Sequence, residues 1–172
     1  MEDLVDFAVE RASARGVDYA EARVHADSGS GVTLSNGVPE PVQLARAKGI
    51  SVRVLLDGAM GFASINDLSR ESVTQAVDVA YRTAKASRRL VTRPIHLSEE
   101  GPEQARWESK ARRSVQDVAI EEKFSMLEDI EKNLDPALVK VDLPSRTLVV
   151  LDDITDRYFA NTEGARIHGT VS

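Results

Sequence analysis

The chain has 172 residues, of which 42% are hydrophobic, and it carries a formal net charge of −6 with no cysteine. The negative charge argues against a protein that binds nucleic acid or a membrane through its overall field. The missing thiols exclude disulfides, cysteine-based zinc sites, iron–sulfur clusters and cysteine nucleophiles. No apolar run approaches the roughly 20 residues of a membrane span, and the acidic N-terminus is unlike a signal peptide, so we expect a cytoplasmic protein.

The first 31 residues predict a helix, a strand and a break. Apolar residues recur at helical spacing over residues 4–12, and Gly16 can end the helix in a left-handed conformation. Residues 18–26 alternate with the period of two that is typical of a β-strand. Residues 27–31 are rich in turn formers and predict a break in that strand.

Two hairpin signals follow, an Asn-Gly pair at 36–37 and an Asp-Gly pair at 57–58. Each pair tolerates the positive φ angles that a type I′ turn requires at both central positions. Residues 50–56 alternate as a strand between the two turns, and residues 60–65 predict a short strand that Gly61 loosens. We interpret this stretch as an antiparallel meander with one apolar face.

The rest of the chain predicts two helices and a second set of strands. Residues 69–89 carry one apolar stripe with basic residues in the last turn, which is typical of a helix. The polar segment 91–113 has no such pattern, and we expect it to lie outside the fold, as an ordered excursion or a mobile linker. Further elements are predicted as a helix at 115–134 that Ser114 caps and Asp135-Pro136 ends, strands at 139–143, 147–151 and 157–160, a turn at 161–164 and a strand at 165–172. Because that last strand has no terminator, we expect the chain to be a fragment of a longer protein.

No residue stands out as catalytic, as cofactor-binding or as a metal ligand. The three histidines, His25, His96 and His168, lie in no metal-binding frame such as H-E-x-x-H, and we interpret each as structural. The G-x-x-G at 58–61 lies between two strands, whereas a phosphate-binding loop leads from a strand into a helix. Gly61 is therefore better explained by a bulge or a close backbone approach.

Two charged clusters each allow a structural and a functional interpretation. The basic run from Arg82 to Arg93 is typical of a solvated helix end, and nucleic-acid binding is the functional alternative. The acidic residues Asp152, Asp153 and Asp156 predict a solvated turn between strands, with a weak cation site as the alternative.

The sequence from Asn36 to Leu68 resembles a known signature. It reads N-G-x-x-E and then G-I-S-V-R-V-L-L-D-G-A-M-G-F-A-S-I-N-D-L, as in the N-terminal domain of the TldD/PmbA proteins. These proteins were named as modulators of DNA gyrase and are regarded as metalloproteases. Residues 18–24 and 157–164 are also similar to parts of that domain, so the resemblance covers most of the chain except 91–113.

The resemblance implies much that this chain does not contain. In the family, an H-E-x-x-x-H helix with further ligands holds the metal in the C-terminal half, and no such motif occurs here. We expect a metal ion, zinc, in the full-length protein, where metal-activated water would attack a peptide carbonyl. The implied partners are an unfolded peptide substrate and a second family member in a homo- or heterodimer, with neither nucleic acid nor membrane involved. The full-length protein would be a metallopeptidase, and this chain alone would lack the metal-binding motif.

We therefore predict one α+β domain over residues 1–172, a mainly antiparallel sheet with helices packed on one face. It would be the non-catalytic half of a TldD/PmbA-like metalloprotease, forming a cleft wall and dimer contacts. Peptide would add to a strand edge near Gly58, Gly61, Phe62 and Ser64. The alternative is a non-proteolytic interaction module, either a gyrase modulator or a metal-free partner subunit.

The predicted sheet should carry both long helices on a single core, because each strand set and each helix has one apolar stripe. The residues predicted to share that core are Ile50, Val52, Val54, Leu56, Val73, Val77, Ala80, Phe124, Leu127, Leu148 and Val150.

Overall fold

A computed structural model describes residues 1–98, 101–134 and 144–172. The elements in these ranges are α1 (Glu2–Ser13), β1 (Tyr19–Ser35), β2 (Val38–Pro39), β3 (Gln43–Leu56), β4 (Ala59–Ile65), α2 (Arg70–Ser87), β5 (Gln104–Glu108), α3 (Ile120–Asn133), β6 (Thr147–Asn161) and β7 (Arg166–Val171). Two 3₁₀ turns lie at Arg88–Leu90 and Val115–Asp117. None of the helices in these ranges is long and apolar enough to cross a bilayer.

The strands pair in the order β4-β3-β1-β6-β7-β5, with β2 beside β1. The β3–β4 and β1–β2 pairs are antiparallel, whereas β5 runs parallel to β7. A mostly antiparallel sheet combined with helices confirms the predicted α+β class.

The described residues group into two compact units. The first unit draws on residues 1–26, 47–108 and 155–170, and the second on residues 27–46, 109–154 and 171–172. Strands β1, β3 and β6 contribute residues to both units. The assignment of residues 1–172 to one domain stays a prediction.

In the first unit, helices α1 and α2 pack against inward-facing residues of β1 and β3. Alternate residues of both strands, such as Ala22, Val24, Val52 and Val54, are buried in one core. The other members of that core are Val5, Ala8, Val9, Ala12, Ala20, Ile50, Leu56, Val73, Ala76, Val77, Ala80, Ala84 and Ala160.

The second unit has its own smaller core around α3. Val32 and Leu34 of β1 and Leu127 of α3 are buried there, with Phe124, Leu148 and Val150 packed around them. The predicted single core is therefore wrong, because these α3 and β6 residues form a cluster separate from that of Val54 and Val77. The physical reason is strand length: different parts of the 17-residue β1 serve different cores.

Both predicted hairpin turns are confirmed. Asn36 and Asp57 each have φ of 49°, and the following Gly37 and Gly58 have φ of 79° and 73°. Helix α2 begins after Ser69, whose side chain accepts a hydrogen bond from the Ser72 amide at 3.2 Å. Local chemistry dictates these features, because a type I′ turn needs residues that tolerate positive φ and a helix start needs a side-chain acceptor.

Two predicted breaks are wrong, because β1 runs through residues 27–31 and β6 runs through residues 152–156. The acidic residues Asp152, Asp153 and Asp156 thus lie within a strand and not in a turn. Both errors have the same cause, because β1 and β6 are neighbours in the sheet. Across this pair, the Ser30 amide also donates to the side-chain Oδ1 of Asp152 at 3.2 Å. Turn-forming and acidic side chains satisfy one another across neighbouring strands and need no turn.

The segment 91–113 does not lie wholly outside the fold, as had been expected from its polarity. Its residues Gln104–Glu108 form β5 and pair with β7 from Arg166 to Thr170. All five side chains of β5 are exposed, so the strand has no apolar face and its sequence shows no alternation. Residues 115–134 form a 3₁₀ turn followed by α3, and the elements predicted at 135–143 lie outside the described residues.

Truncation of Val54 tests the first core. Val54 has none of its surface exposed, so we expect Val54→Ala to lower the free energy of unfolding by about 2 kcal/mol through lost burial and a residual cavity. Urea unfolding followed by circular dichroism measures the change. Val149→Ala is the matched control, because Val149 is 49% exposed, and its effect should stay within about 0.5 kcal/mol. Equal effects of the two variants would contradict the packing described for Val54.

Candidate functional site

Strand β4 ends the strand order and presents one edge for pairing. Leu56 and Ala59 flank the two-residue turn, so they form a hydrogen-bonded pair and the main-chain groups of Ala59 face β3. Alternation along the strand then turns the N–H and C=O groups of Met60, Phe62 and Ser64 away from β3. This outward-facing set is called the β4 edge below.

The two faces of β4 differ sharply. Ala59 and Gly61 are buried on the face that packs under α2, whereas Met60 is 45% and Phe62 52% exposed on the other face. A Cβ atom on Gly61 would lie 1.9 Å from the Ala80 carbonyl oxygen, so only glycine allows the helix to approach this closely. The predicted close backbone approach at Gly61 is therefore confirmed.

The four residues predicted for the peptide-cleft edge thus separate into three roles. Phe62 and Ser64 belong to the β4 edge, Gly61 faces β3 and supports α2, and Gly58 lies in the turn. Sequence reasoning missed Met60, although the register that follows from an Asp-Gly turn would have placed its main chain outward.

Gly58 borders a cleft of about 490 Å³ in the first unit. The Ile95 amide donates to the Gly58 carbonyl at 3.0 Å, and a Cβ on Gly58 would lie 2.5 Å from that of Pro94. Other residues that line the cleft are Asp18, Tyr19, Leu55, Asp57, His96, Leu97 and Glu163. The apolar part of the segment 91–98 is thus held against the hairpin turn, which no periodicity in the sequence indicated.

Two carboxylates that line this cleft, those of Asp18 and Asp57, form contacts within the protein. Asp18 accepts a hydrogen bond from the Asp57 amide at 2.5 Å, and Asp57 forms an ion pair with Arg88.

Tyr19 of the same cleft donates its hydroxyl to Glu21 at 2.8 Å. Burial, together with that hydrogen bond to a carboxylate, raises the pKa of Tyr19 to about 12.

The described histidines occupy separate places. His25 lies on β1, His96 lines the cleft, and His168 of β7 stacks on Tyr158 with ring centroids 4.2 Å apart. In the described ranges, no three His, Asp or Glu side chains come together in a group that could hold a metal ion. The residues described here therefore do not fit the metal that the resemblance implies, and no chemical step is assigned to it in this chain.

The basic run from Arg82 to Arg93 is partly engaged in the fold. Arg82 donates to the Asp78 carbonyl at 3.2 Å, Arg88 pairs with Asp57, and Lys85 lies 5.8 Å from the centre of the Tyr81 ring. These contacts favour the interpretation as a helix end, and nucleic-acid binding stays a hypothesis.

An enclosed polar cluster that was not predicted lies in the second unit. Lys123 of α3 is 6% exposed, donates to the Ser30 hydroxyl at 3.0 Å and forms an ion pair with Asp152. Ser30 donates its hydroxyl to Asp152 at 2.7 Å. Burial by itself would raise the pKa of Asp152, but the hydrogen bonds from Lys123 and Ser30 outweigh burial and hold that pKa below its usual value.

A serine beside a lysine can form a nucleophile and base, but here the arrangement opposes that chemistry. The Lys123 amine is engaged in an ion pair with Asp152 and donates to the Ser30 hydroxyl, so it is not placed to accept a proton from that hydroxyl. The cluster therefore anchors α3 to β1 and β6 inside the second unit.

Loss of the Lys123 amine should destabilise the protein strongly. Lys123→Met removes the ion-pair partner of the mostly buried Asp152 carboxylate and leaves it only the hydrogen bonds from Ser30, so we expect the free energy of unfolding to fall by about 3 kcal/mol. Chemical denaturation gives the value. The control is Lys132→Met, because Lys132 is 69% exposed and its ion pairs to Glu128 and Asp129 are on the surface. Exposed pairs contribute less than about 1 kcal/mol, so similar losses in both variants would contradict the anchoring role.

The tyrosine in the cleft should be recognisable by its titration. A phenol whose pKa is raised from 10.0 to about 12 stays neutral in the folded state while it ionises in the unfolded chain. The stability that its burial contributes is therefore intact below pH 10 and lost as the pH rises towards 12. Absorbance of tyrosinate measures this in the wild type and in Tyr19→Phe, which should lack one high-pKa transition. An unchanged titration curve in that variant would contradict the assignment.

The sequence of the chain is similar to a described protein family and to a curated protein. Residues 20–84 match the sequence model described as PmbA/TldA metallopeptidase domain 1. The chain is 28% identical over 155 residues to a metalloprotease of Methanocaldococcus jannaschii, an alignment that covers 90% of this chain and 34% of that protein. The chain thus spans about a third of the length of this curated relative.

Solved structures share the fold over nearly the whole chain. A candidate modulator of DNA gyrase from Thermotoga maritima has a TM-score of 0.75 at 17% identity, covering 99% of this chain and 37% of that one. TldE from Thermococcus kodakarensis has a TM-score of 0.63 at 17% identity, covering 99% of this chain and 36% of that one. These identities show the fold, and the sequence matches confirm the resemblance to the N-terminal domain of the TldD/PmbA family that was seen in residues 36–68.

Proposed function

We propose that this domain forms one wall of the substrate cleft in a TldD/PmbA metallopeptidase and holds unfolded peptide along the β4 edge. The observation that carries the proposal is the two-sided structure of β4. One face is fixed under α2 through Gly61, and the outward edge offers the main-chain groups of Met60, Phe62 and Ser64.

An edge of this kind suits an unfolded substrate. An extended peptide that adds as a further strand gains main-chain hydrogen bonds that do not depend on its sequence. Met60 and Phe62 expose large apolar side chains on the solvent face, so alternate side chains of the peptide can pack against them. Ser64 and the neighbouring Ser51 of β3 leave the far end of this face polar and open. Peptides with apolar residues at every second position should bind best.

The chemistry itself would belong to the rest of the full-length protein. Because this chain spans about a third of its curated relative, the metal ion, zinc, and the attack on the peptide bond are proposed for the part outside it. A second family member would pair with the protein and complete the enclosure around the peptide. The alternative, a module that binds partners without proteolysis, shares the peptide-binding step and differs only in whether the full-length protein cleaves.

A proline on the β4 edge tests the proposed binding mode. The Ser64 amide faces away from β3, so Ser64→Pro removes an outward donor without breaking the β3–β4 ladder. We expect fluorescein-labelled unfolded casein to bind the wild-type chain and to bind Ser64→Pro about tenfold more weakly, measured by fluorescence anisotropy.

Ser64→Ala is the matched control, because it removes the hydroxyl and keeps the amide, and it should bind casein as the wild type does. Thermal unfolding of both variants verifies that β4 remains paired. The same labelled casein with zinc reports cleavage, and we expect none from this chain alone. Undiminished binding by Ser64→Pro, or no binding by the wild type, would overturn the proposed peptide site.

A further inference from the structure

The basic run at the end of α2 carries charge that the fold leaves largely uncompensated. Between residues 79 and 98 the sequence has five lysines and arginines and no acidic residue, in a chain whose net charge is −6. In the described ranges, Arg88 is the only one of these five whose side chain pairs with a carboxylate, that of Asp57. The other four are exposed: Arg82, Lys85, Arg89 and Arg93.

Helix packing places this charge beside the first residues of β4. A Cβ atom on Gly61 would lie 1.9 Å from the Ala80 carbonyl oxygen and 2.7 Å from the Ala84 amide nitrogen, so α2 lies directly over β4. Further along the helix, Arg88 pairs with Asp57 in the hairpin turn that precedes β4. The end of α2 therefore runs from Gly61 back to this turn.

Arg93 is held at the same turn by the chain that follows α2. A Cβ on Gly58 would lie 2.5 Å from that of Pro94, and the Ile95 amide donates to the Gly58 carbonyl at 3.0 Å. Because Arg93 directly precedes Pro94, its charge joins those of α2 at the first end of β4.

Helix α1 leaves the flank of α2 above the β4 edge uncovered. Asp6 of α1 pairs with Arg166 of β7, so α1 lies towards the opposite end of the strand order. Arg15 of α1 lies 5.2 Å from the centre of the Tyr81 ring, which shows the flank of α2 that faces α1. Val79, about 200° around the helix from Tyr81, is on the other flank and is 43% exposed. A peptide added to β4 would lie below that flank.

We propose that the β4 edge prefers extended peptides whose acidic side chains lie at the end beside the basic run of α2. This inference rests on the proposed function, since it assumes that peptide adds to β4. Neighbouring strands are about 4.8 Å apart, so carboxylates of the peptide would come within about 10 Å of the cations, the screening length at 0.1 M salt. The end of α2 itself carries about half a negative charge, which the four exposed cations outweigh.

The other end of β4 carries the opposite charge. Asp67 follows β4 and accepts hydrogen bonds from the Ser72 hydroxyl at 2.5 Å and the Ser69 amide at 3.0 Å. These bonds hold the pKa of Asp67 below its usual value, so this exposed carboxylate stays ionised at neutral pH. Glu71 in the first turn of α2 adds a second negative charge, and Lys48 of β3 offsets part of the total.

This gradient of charge gives the bound peptide a direction. Antiparallel pairing is slightly more stable than parallel pairing, and β4 runs from the basic end to the acidic end. An antiparallel peptide therefore has its C-terminal residues beside the cations. The preferred substrate has apolar side chains at every second position, followed by acidic residues.

The same cations suit a nucleic acid less well. A nucleic acid could pair with the charges but could not use the alternate N–H and C=O groups of the β4 edge. The only aromatic side chain between residues 79 and 98 is that of Tyr81, which faces α1 and offers no platform on which bases could stack.

Three fluorescein-labelled peptides test the preference. All contain the same segment of alternating valine and serine, which is followed by glutamates in the first, preceded by glutamates in the second and followed by glutamines in the third. In about 20 mM salt the first peptide should bind the chain about tenfold more tightly than the second, measured by fluorescence anisotropy, and the difference should fall below about twofold in 0.5 M salt. Equal affinities of the three peptides at low salt would overturn the inference.

Charge reversal locates the effect. Arg89→Glu/Arg93→Glu should abolish the preference for the first peptide and keep the affinity for the glutamine peptide within about twofold of the wild type. The matched control is Lys110→Glu/Arg112→Glu, which reverses two exposed cations of the second unit and changes the net charge equally. Circular dichroism verifies that both variants are folded. An equal loss of the preference in both variants would show an effect of net charge alone and overturn the inference.

Ser64→Pro separates this inference from the proposed function. It should weaken all three peptides alike, whereas charge reversal at Arg89 and Arg93 affects the preference only. Peptides that bind with equal affinity but are weakened by Ser64→Pro would overturn the charge preference and leave the peptide edge intact. Binding that Ser64→Pro does not weaken would overturn both. Displacement of the first peptide by an equal concentration of oligothymidylate would assign the cations to nucleic acid and also overturn the inference.

Discussion

The contact between α2 and β4 at Gly61 is the constraint on which the first unit depends. The Ala80 and Ala84 backbones lie so close to Gly61 that any side chain there would collide with the helix. The small residues Ala76, Ala80 and Ala84 line the buried stripe of α2, so helix and sheet approach without large side chains between them. This packing covers one face of β4 and leaves the opposite face, with Met60 and Phe62, in solvent. The proposed peptide site follows from that asymmetry.

The second unit is held together differently. Its apolar core is small, built around Val32, Leu34 and Leu127, and a buried ion pair lies in the same unit. Lys123 and Asp152 are favourable there because Ser30 supplies further hydrogen bonds to both. Without these hydrogen bonds, the free energy needed to remove two charges from water would exceed the free energy of their attraction. The polar residues in the middle of β1 and β6 are thus part of what keeps these long strands paired.

The two ends of the strand order expose different side chains. The β4 edge combines outward main-chain groups with exposed apolar side chains, which fits a chain of variable sequence. Strand β5, at the other end, exposes all five of its side chains, among them charged residues and Trp107.

The sequence by itself determined the features that depend on neighbours along the chain. The positive φ of Asn36 and Asp57 and the apolar stripe of α2 are local, and each was predicted from the sequence. Tertiary structure decided the rest, because its causes lie far apart in sequence. Residues 27–31 and 152–156 look like turns until each strand supplies the partners of the other. Strand β5 shows no apolar pattern because all five of its side chains are exposed, and only its pairing with β7 reveals it as a strand. The separation into two cores, and the burial of Lys123 beside Asp152, likewise arise only when strands more than 100 residues apart in the chain pair with one another.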